Sequence, residues 1–381
     1  MKVVIFADKS YNYVKPISVG LHNTLLNIGV ESELWDDGVY WLAKLNLVKV
    51  LFADIYRFFL NIKNNNRKLY LYRFWNLITF YNKQRRKQLR ECDCIIVVLN
   101  CPACFYPGSD RLELLRKEYN KPIINYDFHY LPNQGWWHYI SQIPNHKGLE
   151  RFDWYLPIGL ITEFPIPHDI PRIYNCIGMD ITSSELFPEQ TEFTVLLDFP
   201  RKEHTEQRAR IKEVLDRMSV KWIELSGRYT TSQIRAIYRK CSLYVVSTRE
   251  SFGLPIIELQ LCGAKILTPY KEWVPAHYLN KSPFVVGSGD LGRNFLVYNN
   301  DEGTLCEIIN KERDAIDYSQ NINNFKKDYP YYNKINRIEL KDFLEKISKK
   351  EINSSTHEKH LIYNKYLSLT DNYRKADEQY K

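Results

Sequence analysis

The chain lacks any run of about 18 apolar residues, the length a helix needs to cross a bilayer, so no membrane-spanning helix is expected. A leader-like start is missing as well. KVVIFAD is a short apolar run that closes at Asp8, the pattern of a buried strand. The expected compartment is therefore the cytoplasm. No short-period repeat is visible, so nothing points to a repeat architecture. Nor is there a zinc constellation. Among the eight cysteines, Cys92, Cys94, Cys101 and Cys104 come nearest to one. The run DCIIVVLN reads as a buried strand, and extended backbone from Cys94 to Cys101 covers roughly 23 Å, too far for one tetrahedral ion. Scattered reduced thiols and no bound metal are expected. Finally, acid is nearly absent from residues 41–90, which hold twelve Lys and Arg against the single acid Asp54.

What the chain does have is length and alternation. Its 381 residues exceed one ordinary core and suit two domains. With 44% hydrophobic and 26% charged residues it belongs with globular proteins and not with disordered ones. A net charge of +8 favours an anionic partner without choosing among nucleotide, lipid headgroup and nucleic acid. In the first half, strand patterns at 3–7, 32–35, 94–99, 122–126 and 155–158 are separated by helical patterns at 16–28, 39–90 and 110–119. The proline-rich stretch FPIPHDIPRIYN (164–175) breaks the rhythm. It restarts with strands at 193–197, 221–225, 243–247, 265–268 and 295–297, and helices at 206–218, 231–240, 254–262 and 302–309. Strands alternating with helices predict parallel sheets covered on both faces. The expected fold is α/β, with two doubly wound, Rossmann-like domains in tandem over 1–175 and 176–330. Residues 331–381 follow as a helix (335–347) and a polar tail. In such folds ligands bind beyond the carboxyl ends of the strands, beside helix N-termini. The site is expected in a cleft between the two domains.

The stretch ESFGLPIIELQLCG (250–263) sits between two strand patterns. Gly253 permits close approach to a ligand, and Pro255 suits the first turn of a helix. The free amides there favour an anion or a hydroxyl-rich ligand. Glu250 lies at the mouth of the turn, and Glu258 lies one turn inside. Either both are solvated helix-end glutamates, or one carboxylate accepts a vicinal diol such as a ribose while the other takes sugar hydroxyls.

STRESFGLPIIELQLCGAKILTP (247–269) resembles the signature of the retaining, GT-B-fold glycosyltransferases of group 1, or glycosyltransferase family 4. That pattern has two glutamates with seven residues between them, here Glu250 and Glu258. Phenylalanine-glycine-leucine-proline lies inside it, here 252–255, and cysteine-glycine follows, here Cys262 and Gly263. LSGRYTTSQIRAIYRKCSLYVVSTRE (225–250) is similar to the stretch before the signature, with Gly227 and Arg228 in the loop near the base. CIGMDITSSELFP (176–188) resembles the interdomain segment, with its asparagine displaced to Asn175. In DFPRKE (198–203), Arg201 matches the family's arginine; its lysine-glycine is missing, and Lys202 is the nearest cation. The resemblance covers about 175–310, and over the first half it is one of architecture only.

The resemblance implies a retaining transferase that moves a sugar from a nucleotide diphosphate sugar to an acceptor hydroxyl. The product would belong to glycan or glycolipid biosynthesis, and neither metal nor other cofactor would be needed. It implies that Glu258 accepts the ribose hydroxyls and that Arg201, with Lys202, neutralises the diphosphate. The amides of Gly253 and Leu254, next to Phe252, would orient the sugar with Glu250. Family members place a histidine after an amino-domain strand. Here Asp127 holds that place by position and His129 by residue type. The basic segment 41–90 is interleaved with eleven aromatics. It is expected to meet an anionic membrane surface, making the protein peripheral at the inner face. The alternatives are nucleic acid or a packed helix pair with a solvated basic face. The rival functions are a non-catalytic nucleotide- or glycan-binding GT-B module and a transferase acting on nucleic acid.

Overall fold

A computed structural model describes residues 1–7, 14–35, 55–56, 81–98, 116, 118–127, 152–162, 174–181, 183–250, 252–279 and 285–353. In chain order these form β1 (Lys2–Phe6), α1 (Val14–Asn27), β2 (Glu31–Trp35), α2 (Tyr81–Glu91), β3 (Cys94–Val98), β4 (Ile123–Asp127), β5 (Trp154–Pro157) and β6 (Ile161–Thr162). Then follow β7 (Thr194–Leu197), α3 (Thr205–Arg217), β8 (Lys221–Glu224), α4 (Thr231–Tyr238), β9 (Leu243–Val245), α5 (Leu254–Leu261) and β10 (Lys265–Thr268). The chain ends with β11 (Val285–Val286), β12 (Phe295–Val297), α6 (Glu302–Ala315), α7 (Tyr318–Asp328) and α8 (Arg337–Ser348).

Two compact units result. One holds Met1–Ile158, Ile166–Asp180 and Ile335–Lys381; the other holds Gly159–Pro165 and Ile181–Lys334. Each contains a five-stranded sheet whose neighbours are all parallel, in the orders β2-β1-β3-β4-β5 and β12-β10-β9-β7-β8. Counted along each half, both orders are the same 2-1-3-4-5 arrangement. The α/β class with two doubly wound parallel sheets is thus the fold of this chain. The strand order reverses between β1 and β3 in one sheet and between β7 and β9 in the other, and such reversals are where ligands bind.

Local sequence explains the elements. The strand CIIVV of β3 is buried at every position, as a central parallel strand between two helical layers must be. In the second unit Val195, Leu197, Leu243, Val245 and Leu267 from the sheet meet Ile211, Val214 and Leu215 of α3 and Leu305 and Ile309 of α6. Helix α4 opens with a capping box: Thr230 accepts from the Gln233 amide, and the Gln233 side chain accepts from the Thr230 amide. Helix α5 is apolar nearly all round and buried from Ile256 to Leu261, so packing and not amphipathicity holds it.

Helix α8 belongs to the first unit. Its Phe343 ring lies 4.8 Å from Tyr174 and 6.3 Å from Trp154. The Asn175 amide donates to Glu339 at 2.6 Å.

Of the basic segment, only 55–56 and 81–90 fall among the described residues. Here the membrane-facing expectation needs correction at one position. Arg85 is 5% exposed, its guanidinium 5.0 Å from the centre of the Trp35 ring, so it is packed inside the first unit and is not surface charge. Burial sets the thiols as well. Cys92 is pushed up to about 12 by desolvation, which leaves an inert thiol, and Cys94 is raised for the same reason. Cys101 and Cys104 lie outside the described residues. No helix among the described residues is long and apolar enough to cross a membrane.

Candidate functional site

The carboxyl edge of the second sheet collects most of the charged side chains singled out by sequence. β7 ends at Leu197, and the next residue, Asp198, is 9% exposed. Its Oδ1 accepts the Phe199 amide at 2.7 Å. Desolvation raises its carboxyl above the ordinary range, opposed by that amide, by the Tyr244 hydroxyl and by the charges of Arg208 and Arg201. The backbone then turns through Arg201, which is exposed and caps a short 3-10 helix, Lys202–His204. On the far side of the reversal point, the loop after β9 brings in Glu250. It is half-buried, and its carboxyl is pushed up to about 7, first by desolvation and next by the charge of Asp198. The charge of Arg201 and the Gly253 amide pull it back down. Two carboxylates and an exposed guanidinium therefore act on one another where the strand order reverses.

Gly253 makes the approach possible. It caps α5 at φ 65° and ψ 91°, a left-handed conformation that favours glycine. A Cβ there would lie 2.6 Å from Cγ of Glu250 and 2.9 Å from Cδ1 of Ile256, so any side chain would push Glu250 out of place. The Glu250 amide donates to the Trp273 carbonyl at 2.8 Å, and the Trp273 ring lies 5.0 Å from His204. The loops after β7, β9 and β10 are thus tied into one rim.

Arg208 on α3 fastens that rim from beneath. Its Nε donates to Glu224 at 2.6 Å, its Nη1 to Ser247 at 2.9 Å, and its Nη2 to the Asp198 carbonyl. One 6%-exposed guanidinium thereby holds the ends of β7, β8 and β9. Arg208→Met is expected to cost about 1–3 kcal/mol, the scale of leaving buried polar groups unpaired, and urea denaturation checks it.

Glu258 is placed differently from expectation. It is 6% exposed, and its Oε1 accepts both Nη2 and Nε of Arg235, at 2.6 and 3.0 Å. Arg235 in turn gives Nη1 to Glu185 at 3.1 Å. The carboxylate expected to stand open to a ribose is held in a buried ion pair. Desolvation nonetheless raises its carboxyl, with Arg235 opposing.

Gly227 has φ 77° and open space around it, and with Arg228 it forms an exposed turn after β8. Lys202 is exposed beside Arg201, and Leu254 is half-buried in the first turn of α5. The Phe252 ring is 2% exposed and packs on His277 and Tyr332, so it faces the core and not a ligand. Asp127 closes β4 of the first sheet, 3% exposed, its carbonyl accepting the Ile158 amide at 3.0 Å. His129 lies outside the described residues. Sequence reasoning missed Asp198, Arg208 and His277. For Asp198 the signal was available, since it is the first polar residue after an apolar strand that starts a doubly wound sheet. Among the described residues no group of three His, Cys, Asp or Glu side chains is placed to hold a metal ion.

No family model and no curated protein matches the chain. Among solved structures it is similar to UDP-GlcNAc 2-epimerase from Neisseria meningitidis bound to UDP-GlcNAc, at 12% identity over 92% of this chain and 100% of that one, with a TM-score of 0.42. It is also similar to the spinosyn rhamnosyltransferase SpnG, at 10% identity over 91% and 100%, with a TM-score of 0.37. A third is the C-terminal domain of a glycosyl transferase group 1 family protein (LpcC) from Francisella tularensis, at 12% identity over 40% and 98%, with a TM-score of 0.27. Likenesses of this size assign no function to the chain.

Proposed function

We propose that the protein is a retaining glycosyltransferase that takes a sugar from a nucleoside diphosphate sugar and delivers it to an acceptor hydroxyl. The observation that carries the proposal is the placement of Glu250, Asp198 and Arg201 together at the reversal point of the second sheet, on the glutamate motif that resembles the group 1 signature. An anionic diphosphate needs exposed cations. Arg201 and Lys202 stand exposed on the turn before α3, and Arg228 stands on the neighbouring turn.

In this mechanism Arg201 meets the negative charge that grows on the leaving diphosphate, the interaction that usually contributes most to such catalysis. Glu250 accepts hydroxyls of the transferred sugar and fixes its orientation for attack. The acceptor hydroxyl adds to the anomeric carbon as the bond to the phosphate oxygen breaks, and its proton passes to the leaving phosphate. Attack on the face the phosphate leaves gives retention. Glycan and lipid-linked alcohols are the proposed acceptor classes, and no metal or other cofactor has a part in the mechanism.

A thermal-shift series with UDP, GDP, ADP and their sugars tests the binding half. At a hundredfold excess over Kd a bound nucleotide adds about 2.7 kcal/mol to the folded state. Release of the nucleoside diphosphate in the presence of acceptor, and the anomeric coupling constant of the product, test the rest. Stabilisation by a nucleotide without turnover would leave the protein a non-catalytic binding module. No stabilisation by any of them would remove nucleotide sugars from its function.

A further inference from the structure

His277 is fully buried, and its Nε2 lies 2.6 Å from the Phe252 carbonyl oxygen. A carbonyl only accepts, so Nε2 carries the proton. Nδ1 is then an acceptor, buried and without a hydrogen-bond donor. Burial holds the ring neutral, its pKa lowered to about 4. A buried imidazole with one idle nitrogen is a costly way to fill a core, and a phenyl ring would fill it without that cost. What the histidine adds is a single donor aimed at one carbonyl.

That carbonyl belongs to the peptide unit between Phe252 and Gly253. The described residues contain no cis peptide bond, and in a trans unit the oxygen and the amide hydrogen point in opposite directions. With the Phe252 oxygen drawn into the core, the Gly253 N–H faces out. Glu250 lies there: its Cγ folds back over Gly253, and the Gly253 amide is among the groups that draw its carboxyl down.

The histidine is itself firmly placed. It sits on a 3-10 turn, Pro275–His277, whose carbonyls at Ala276 and His277 accept the hydroxyls of Tyr332 and Tyr329. The rings of Phe295 and Tyr329 flank the imidazole at 5.0 and 5.5 Å.

We infer that His277 is a positioning residue: by holding the Phe252 carbonyl in the core, it aims the Gly253 N–H at the Glu250 carboxylate. Its functional consequence rests on Glu250 being a site carboxylate, and the structural one does not. The groups that act on Glu250 are Asp198 after β7, Arg201 on the next turn, Tyr244 on β9 and the Gly253 amide. No charged group is among those that shift His277; only desolvation and the Phe252 carbonyl do so.

The test compares His277→Phe, which keeps the ring volume and loses the donor, with His277→Gln, whose amide nitrogen reaches near the place of Nε2. Glu250 ionisation is followed in the full chain by carboxyl carbon NMR, with Glu250→Gln to assign the signal. In His277→Phe the midpoint is expected to rise from about 7, because the amide that favours the charged form is lost. The expected rise is about half a unit or more. His277→Gln is expected to stay with the parent. If His277→Phe does not fold, His277→Asn, whose amide is too short to reach, takes its place under the same criteria. An unmoved midpoint in a folded donor-less variant, or equal movement in His277→Gln, would overturn the inference. Because the titration needs no substrate, it decides the matter even if the protein transfers no sugar. If it does transfer sugar, the Glu250 limb of the rate-against-pH profile moves with the NMR midpoint, and kcat falls while KM for the nucleotide sugar holds.

Discussion

Replacing Arg235 with methionine is expected to destabilise the second unit by about 3–5 kcal/mol, the cost of stranding a buried charge. Glu258 is the charge at risk. Its side chain is 7% exposed, and the same oxygen accepts two guanidinium nitrogens. Desolvation already raises its carboxyl, and Arg235 is the group that opposes this. Without the guanidinium, Glu258 must take up a proton to remain buried. The deficit is therefore greatest at alkaline pH and shrinks as pH falls and the carboxyl is neutralised. Arg235→Met combined with Glu258→Met removes both charges and is expected to recover most of the loss, since isosteric apolar replacement of a buried pair is often neutral. Urea denaturation at pH 5 and pH 8 measures all three chains. A single substitution costing under about 1 kcal/mol at pH 8 would mean that water reaches Glu258, and that the pair is no more than a surface bridge.

Glu250→Gln is expected to lower sugar transfer by about a hundredfold or more, equivalent to about 2.7 kcal/mol of barrier. Glutamine keeps the volume and a carbonyl acceptor but loses the charge and one strong acceptor oxygen. Nucleotide affinity is expected to hold, because the phosphates are met by Arg201 and Lys202. A rate within about threefold of the parent would take Glu250 out of the reaction. The same substitution has a signature in stability. The folded carboxyl titrates near 7, above the ordinary value of 4.5. Between those two values the native chain holds a proton that the unfolded chain has released. Native stability from this group is fully present below pH 4.5 and is lost as pH rises through 7. Glutamine has no such loss, so relative to the parent the variant gains stability from pH 5 to pH 8. A difference that is flat across that range would mean that Glu250 titrates normally.

His277 works the other way over nearly the same range. Its folded value near 4 lies below the ordinary 6.5, so its contribution is present above 6.5 and lost as pH falls toward 4. The two groups oppose each other, and single substitutions expose what the parent hides.

The legible parts of this protein are those where local pattern and burial agree. Strands such as CIIVV and TVLL are buried throughout, so their apolar runs mark them. The turn into α5 was legible because glycine and proline each have a conformational reason to be there. Arg208 was not, because nothing in TEQRARIKEVLDR sets this arginine apart from its other charged residues, and only the fold reveals that it turns under the sheet edge. The partner of Glu258 was hidden for a similar reason: Arg235 lies 23 residues away, and a side chain's neighbour across helices is not written in spacing. Helix α7 was missed outright. YSQNINNFKKD buries only Asn321 and Phe325, and the Asn321 amide anchors it by donating to the Gly263 carbonyl at 2.9 Å. No apolar stripe announces a helix held by an asparagine.

Helix α8 carries a consequence for biosynthesis. The first unit is interrupted at Asp180 and resumes at Ile335, so Trp154 and Tyr174 wait for Phe343 while the whole second unit is made. At ordinary elongation rates that interval is on the order of 10–30 s. During vectorial synthesis the second unit can close first, and the nascent chain carries an uncovered aromatic face until the ribosome delivers its last described helix.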